Sequence, residues 1–334
     1  MYKFALVGCG RIAERHAAII NEIGILKAVC DIDAKRADTM AAAYNAASYY
    51  SLESLLAGES DIDIVSVCTP NGFHAEHSIK ALQAGKNVLC EKPLCITGAA
   101  AWQLVETEKF SRKKLFVVKS ARYNPLLLEL KKRIETGSLG KVYSFGLSCF
   151  WNRPDEYYSD WHGKAFPDGG TLYTQFSHYI DALYWLFGDV ASVHAYASNA
   201  AHEASIEFED TGVACLHMKS GVLGTVNWSV NTFRKNFEIG LTIVAEHGTV
   251  SLGGEYLEKL RYYEGSDPFD VSVIDQPANE YLSYKGSMSH HKEVYQNLVH
   301  ALENNNEKSN AFDGLKTVEI IEKIYKAVSS SSLS

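Results

Sequence analysis

Gly8-Cys9-Gly10-Arg11-Ile12-Ala13 stands between a short apolar run, Phe4 to Val7, and a segment of helical period. A turn of this G-x-G-x-x-A form cradles a dinucleotide: Gly8 makes the tight turn, Gly10 lets the backbone approach the pyrophosphate, and small Ala13 lets helix and strand pack closely. The helix start, with Arg11 and Ile12 leading into it, adds free N–H groups and a positive dipole end for phosphates. Asp31 closes the next apolar run, where a carboxylate accepts hydrogen bonds from adenosine ribose hydroxyls and repels a 2′-phosphate. No arginine follows directly in Asp31-Ile32-Asp33-Ala34, so NAD is expected rather than NADP, and Asp33 reads as a solvated turn residue. Alone, such a motif is equally a tight strand-to-helix turn; Asp31 at the end of the next strand makes it a cofactor site.

Two more polar clusters follow apolar runs. Cys68-Thr69-Pro70-Asn71-Gly72-Phe73-His74 and Cys90-Glu91-Lys92-Pro93-Leu94 both fall at the C-terminal edge of a parallel sheet, where open α/β folds bind ligands. Lys92 sits among residues that read as buried, which argues against a solvated surface lysine. Further along, Asp168-Gly169-Gly170 leads into Thr174-Gln175-Phe176-Ser177-His178-Tyr179-Ile180-Asp181. In one continuous helix Thr174, His178 and Asp181 share a face. A lone helix histidine is usually structural; here the Gly-Gly entry and the His-x-x-Asp spacing favour chemistry.

The elements that must position these groups come in two styles. Apolar runs Phe4 to Val7, Leu26 to Cys30, Ile64 to Cys68, Asn87 to Cys90 and Leu115 to Val118 alternate with helical stretches such as Ala75 to Ala84, the pattern of βαβ units. After Arg122 the rhythm changes. A strand from Lys141 to Phe150 and an apolar helix running to Phe187 precede alternating strands between Val190 and Tyr263, and two helices close the chain. The expected fold is α/β, with an N-terminal Rossmann doubly wound parallel sheet over 1–120 and a C-terminal α/β domain on an open, mostly antiparallel sheet over 121–334.

Composition narrows the function. Lys and Arg total 32 against 40 for Asp and Glu in 334 residues, a formal charge of −8, which argues against a phosphate-backbone binder and hence against nucleic acid. The seven cysteines are scattered without a C-x-x-C pair, so reduced thiols and no bound metal are expected. The N-terminus enters an apolar strand at once, leaving no room for a signal peptide, and no run reaches the length of a membrane span. A cytoplasmic protein without membrane contact is expected.

The spaced set Gly8-x-Gly10-x-x-Ala13, Thr69-Pro70-Asn71-x-x-His74 and Glu91-Lys92-Pro93 resembles the glucose-fructose oxidoreductase/inositol dehydrogenase (Gfo/Idh/MocA) family, and the likeness extends over essentially the whole chain. The resemblance implies an NAD-dependent oxidoreductase acting on a sugar alcohol. It further implies cofactor contacts from Gly8, Gly10, Arg11, Ile12, Asp31, Thr69, Asn71, His74, Glu91 and Lys92, a cis Lys92-Pro93 bond as a rigid mount, and a catalytic dyad of Lys92 and His178. Many family members carry Asp or Asn where this chain has Thr174. A threonine hydroxyl cannot act as a base near neutral pH, which reduces Thr174 to positioning.

One subgroup is most similar, the bacterial dehydrogenases that oxidise C3 of UDP-N-acetylglucosaminuronate in surface-polysaccharide pathways. The residues that carry this are Arg122-Tyr123-Asn124-Pro125, Trp151-Asn152-Arg153-Pro154-Asp155-Glu156-Tyr157-Tyr158, Trp161-His162-Gly163 and Gln175. The subgroup often has Arg at position 162 and Asn at 174. Arg122 and Arg153 suit a diphosphate or carboxylate, and Trp151, Tyr157, Tyr158 and Trp161 suit a uracil or sugar face; an aromatic core with surface arginines is the alternative. Arg122, Tyr123, Asn124, Arg153, Tyr157, Tyr158, Trp161, Thr174 and Gln175, with Lys92 and His178, form the expected substrate set.

The resemblance leaves open whether His178 or Lys92 takes the hydroxyl proton, although a histidine titrates near the operating pH. It implies a homodimer or homotetramer, and the subgroup includes enzymes that reoxidise NADH with 2-oxoglutarate. Rival readings are a dehydrogenase of a free sugar or inositol, a nucleotide-sugar ketoreductase, a non-catalytic NAD sensor and a structural interaction protein. The presence of both Lys92 and His178 speaks against the last two.

Overall fold

The computed structural model describes residues 1–269, 290–304 and 310–331. Packing divides the chain into two compact units, the first being Met1–Val118 with His291–Val318. Its sheet contains β1 (Lys3–Val7), β2 (Ile25–Cys30), β3 (Ala47–Tyr49), β4 (Ile64–Val67), β5 (Asn87–Cys90) and β6 (Leu115–Val117), all parallel in the order β3-β2-β1-β4-β5-β6. This is the doubly wound dinucleotide order, with its switch point between β1 and β4. The connecting helices are α1 (Ala13–Ile23), α2 (Ala34–Tyr44), α3 (Leu52–Gly58), α4 (His74–Gln83) and α5 (Gly98–Ser111). Strand residues such as Phe4, Leu6, Val29, Val65 and Leu89 are fully buried, as strands covered on both faces must be.

The second unit takes the described residues from Lys119 to His290 and from Glu319 onward. After α6 (Pro125–Glu135) comes β7 (Val142–Phe150), then α7 (Thr171–Thr174) and α8 (Ser177–Phe187). The remaining strands are β8 (Val190–Ser198), β9 (Thr211–Met218), β10 (Leu223–Ser229), β11 (Glu238–Ala245), β12 (Gly248–Gly253) and β13 (Lys259–Gly265), in the order β13-β12-β11-β7-β10-β9-β8. All pairs are antiparallel except β7 with β10. Helices α9 (His291–Glu303) and α10 (Ala311–Ser331) complete the described chain.

Two features differ from the sequence reading. Segment 291–318, expected within a second domain of 121–334, packs instead with the first unit. α9 buries His291, Val294, Tyr295 and Leu298, and the Tyr295 ring meets Phe4 edge-on at 6.0 Å. Helical periodicity tells that a face is buried but not against which sheet. The apolar helix expected up to Phe187 is two pieces, because Phe176, at φ −118 and ψ 4, interrupts it between α7 and α8. The side chains at the break are anchored outside the helix: Gln175 bonds Arg153 and Tyr157, and Phe176 packs on Trp151. The shared face inferred for Thr174 and His178 from one continuous helix therefore does not follow.

Candidate active site

In the first unit Gly8 has φ +93, and its N–H donates to the Cys30 carbonyl at 2.8 Å. A Cβ there would stand 2.7 Å from the backbone of Cys68, so both the turn and the close approach of β4 demand glycine. Gly10 is the opposite case: a Cβ would meet nothing within 4 Å, which leaves an open cradle over the start of α1. No side chain caps that helix, and Ala13 is fully buried against the sheet. These features fit a pyrophosphate held by main-chain N–H groups. Exposed Arg11 and half-buried Ile12 complete the turn.

Asp31 follows β2, and its carboxylate accepts the Cys9 N–H at 2.7 Å and the Asp33 N–H at 2.9 Å. Each oxygen thus keeps a lone pair for a ribose hydroxyl. Asp33 is no idle turn residue: it caps α2 through the Lys35 and Arg36 N–H groups and pairs with the Arg36 guanidinium at 3.4 Å.

At the ends of β4 and β5, the structure ties the two expected loops together. His74 bridges them, with Nε2 2.7 Å from the Thr69 carbonyl and Nδ1 2.6 Å from the Pro93 carbonyl. Its ring is spent on the protein, and burial pushes its pKa down. Thr69 bonds His77 at 3.0 Å, and Asn71 is buried in a 3-10 turn. The Lys92-Pro93 bond is cis, and Lys92 is half-buried beside fully buried Glu91.

In the second unit His178 lies buried near the start of α8, a helix buried almost all round. Asp181, one turn further, accepts from Lys119 and takes both the Nε and the Nη2 of Arg122, at 2.7 and 2.9 Å. Burial raises the pKa of its carboxyl, but the two cations outweigh this and hold it well below the ordinary aspartate range. Arg122, expected to meet substrate, is therefore engaged by Asp181, and its guanidinium lies over the Trp185 ring. Asn124 is likewise committed, capping α6 and donating to the Leu257 carbonyl, while Tyr123 is half-buried beside it.

The segment after β7 builds a polar and aromatic cluster. Arg153 donates to Gln175 Oε1 at 2.8 Å and to Asn236 at 3.1 Å, and its guanidinium lies over the rings of Trp151 and Tyr157. Gln175 in turn donates to the Tyr157 hydroxyl at 2.9 Å. Trp151 is core, packed on Phe176, Tyr179 and Tyr256, so the stacking role considered for it does not hold. Tyr158 is buried too, with its hydroxyl pKa pushed up by burial. Half-buried Tyr157 and Trp161 present their rings with His162, on which Trp161 stacks at 3.8 Å.

Sequence reasoning missed several residues. Asp168 accepts from the Thr174 hydroxyl and from the Gly163 N–H at 2.8 Å. Lys119, His16, His291 and Tyr295 are buried polar groups in contact with expected site residues or their ion partners. The available signals were a histidine on the apolar face of α1 and a lysine directly after the buried run Leu115 to Val118. Among the described residues, His16, Glu91 and His291 alone group three metal-type ligand atoms. No described helix is long and apolar enough to cross a membrane.

Residues 2–119 match the family described as an oxidoreductase family with an NAD-binding Rossmann fold, and residues 127–251 match the GFO/IDH/MocA C-terminal domain. Among solved structures the chain is similar to the WlbA dehydrogenase of Bordetella pertussis in complex with NADH and UDP-GlcNAcA, at 33% identity over 99% of this chain and 97% of that one, with a TM-score of 0.88. The WlbA enzyme of Chromobacterium violaceum, in complex with the same two ligands, is 34% identical over 99% and 94%, with a TM-score of 0.89. Inositol 2-dehydrogenase of Acidothermus cellulolyticus is 29% identical, covering 76% of this chain and 73% of its own length.

Proposed function

The chain belongs to the GFO/IDH/MocA oxidoreductase family, NAD-dependent enzymes that act on CH–OH groups, and from that premise we propose that it oxidises C3 of a UDP-N-acetylhexosaminuronate in surface-polysaccharide synthesis. The observation that carries this reading is the near full-length similarity to two enzymes solved with UDP-GlcNAcA, where the inositol dehydrogenases match a shorter stretch at lower identity. The Arg153, Tyr157, Gln175 and Trp161 cluster supports it, since a guanidinium beside aromatic rings suits an anionic nucleotide sugar.

The Gly8 to Ile12 turn, Asp31, and the loops carrying Thr69, Asn71 and Glu91 would hold NAD, which when bound would supply the hydride acceptor. In this reading His178 takes the hydroxyl proton as the C–H bond breaks, because a protonated hydroxyl is a poor hydride donor. Lys92 holds the same oxygen and stabilises the developing alkoxide charge. The opposite assignment, Lys92 as base, requires a lysine whose pKa is depressed by its surroundings.

A second reading, oxidation of a free sugar or inositol, draws support from the inositol dehydrogenase relatives and from Arg122 being engaged by Asp181 rather than open to a phosphate. Turnover decides between them. UDP-N-acetylglucosaminuronate, myo-inositol and free hexoses are each incubated with enzyme, NAD and 2-oxoglutarate, and 3-keto sugar and 2-hydroxyglutarate are followed by mass spectrometry. Oxidation of the UDP-sugar alone supports the proposal. Activity on a polyol, with no UDP-sugar product and no thermal shift from UDP, overturns it.

We further propose that the chain works as a homodimer or homotetramer in the cytoplasm. Tyr196, Val213, Leu223, Val244 and Tyr262 lie exposed on one face of the second sheet, an apolar surface suited to a second copy. Light scattering coupled to size exclusion measures the mass directly.

A further inference from the structure

Beneath Lys92 runs a chain of polar side chains, each almost fully buried. Ser66 Oγ lies 2.9 Å from Tyr295 Oη, which lies 2.8 Å from His16 Nδ1. His16 Nε2 is 2.9 Å from Glu91 Oε1, and His291 Nε2 reaches the same oxygen at 3.2 Å. The other oxygen, Oε2, accepts the main-chain N–H of Lys92 at 2.9 Å. His16 and Tyr295 are 0% exposed, His291 3% and Glu91 6%, so bulk solvent does not reach these groups. They come from α1, α9, β4 and the end of β5, and the two imidazoles meet edge-on at 5.5 Å.

A carboxylate in such a place ionises only if donors replace the water it has lost. Burial pushes the Glu91 pKa up, but hydrogen bonds from His16 and His291 outweigh it and bring it well below the ordinary glutamate range. Burial lowers that of His291, which keeps its ring the neutral donor this arrangement requires. Three N–H donors therefore converge on one anion, and one of them is the backbone of Lys92.

We propose that His16 and His291 are positioning residues for Lys92. Acting through Glu91, they pin the main chain that carries the lysine and keep the carboxylate of the preceding residue ionised. This rests on the assignment of Lys92 to the reaction, and it adds two histidines, one drawn from near each end of the described chain, that never touch substrate. The same three ligand atoms lie within 4.8 Å of one another, a spacing that a metal ion would also accept. The orientation of each Nε2 towards one carboxylate oxygen, with the second oxygen on the Lys92 N–H, favours hydrogen bonds over ligation.

The test compares His16→Phe, His291→Phe and His16→Gln, the last retaining an amide donor near the imidazole Nε2. The readout independent of turnover is the rate at which Lys92 is acetylated by acetic anhydride at pH 8, followed by peptide mass spectrometry. Loss of the anion and of the anchor should raise that rate at least threefold in the Phe variants, with His16→Gln near wild type and the NAD dissociation constant within about threefold of it. With UDP-N-acetylglucosaminuronate, kcat should fall roughly tenfold in the Phe variants while KM holds, and the loss should vanish in a Lys92→Met background. Unchanged labelling of Lys92 overturns the proposal, as does a stoichiometric transition metal in the purified protein. Altered labelling in an enzyme that does not turn over the UDP-sugar leaves the positioning role standing and refutes the substrate instead.

Discussion

The Thr174 hydroxyl donates to the carboxylate of Asp168, six residues upstream and buried at the Gly-Gly turn. With its proton committed there, the Thr174 oxygen is left to act as an acceptor. An acid thus stands directly behind the position where many family members carry Asp or Asn. Burial draws the Asp168 pKa up, and the bonds from Thr174 and the Gly163 N–H oppose this. Asp168→Asn and Thr174→Ala should each lower kcat by about tenfold, the lower end of what one hydrogen bond to a charged group contributes. The double variant should be no worse than the poorer single one, and steady-state kinetics of the four proteins checks it.

Lys92→Met and His178→Asn remove the groups assigned to the chemical step. Each should lower turnover by roughly two to four orders of magnitude while changing the NAD dissociation constant only a few-fold. Titration of NAD by calorimetry, paired with single-turnover product formation, separates the two effects. Near wild-type turnover in either variant removes that residue from the dyad.

Asp31 has two oxygens, each already holding one main-chain N–H, and both face the acceptor role expected beside a ribose. NAD should bind more tightly than NADP. Asp31→Ser should narrow the gap by weakening NAD and relieving the repulsion of the 2′-phosphate. Equal affinities for both dinucleotides in the wild type would contradict the ribose assignment.

Glu209 is a buried acid that accepts from the Tyr325 hydroxyl at 2.7 Å and the Trp228 indole at 3.2 Å. Burial pushes its pKa from 4.5 up to about 7. The folded chain therefore holds a proton between those values that the unfolded chain has released. Stability from this group is greatest below pH about 4.5, falls as pH rises towards 7, and levels off above; the whole change is on the order of 3 kcal/mol. Urea unfolding from pH 4.5 to 8 should show that slope in the wild type and a flatter one in Glu209→Gln. Parallel curves would exclude Glu209 as its source.

The cofactor half of the site was legible because its logic is local. Gly8, Gly10, Ala13 and Asp31 are each dictated by a turn or a strand end within a few residues: Gly8 has a positive φ against the backbone of Cys68, and Asp31 accepts the Cys9 N–H. The substrate half was less so. Arg122 read as an anion ligand because its partner Asp181 lies far along the chain, and nothing in the spacing announces an ion pair. Trp151 read as a stacking surface, yet three aromatic rings from elsewhere enclose it. The helix break at Phe176 and the contribution of α9 to the first unit are likewise set by tertiary contacts, which override a local helical period.

The order of synthesis gains meaning from where α9 packs. When the ribosome has finished the six parallel strands, the Phe4 ring lacks Tyr295 and the Glu91 carboxylate lacks His291. Those partners emerge only after the entire seven-stranded sheet has been made. A nascent chain that has completed only its N-terminal sheet carries a buried acid short of one donor and an uncovered aromatic ring, and maturation of the nucleotide-binding half waits on a helix made after the second sheet. Premature termination anywhere before α9 would then yield chains that expose this seam to chaperones and proteases, even though every residue of the glycine-rich turn is present.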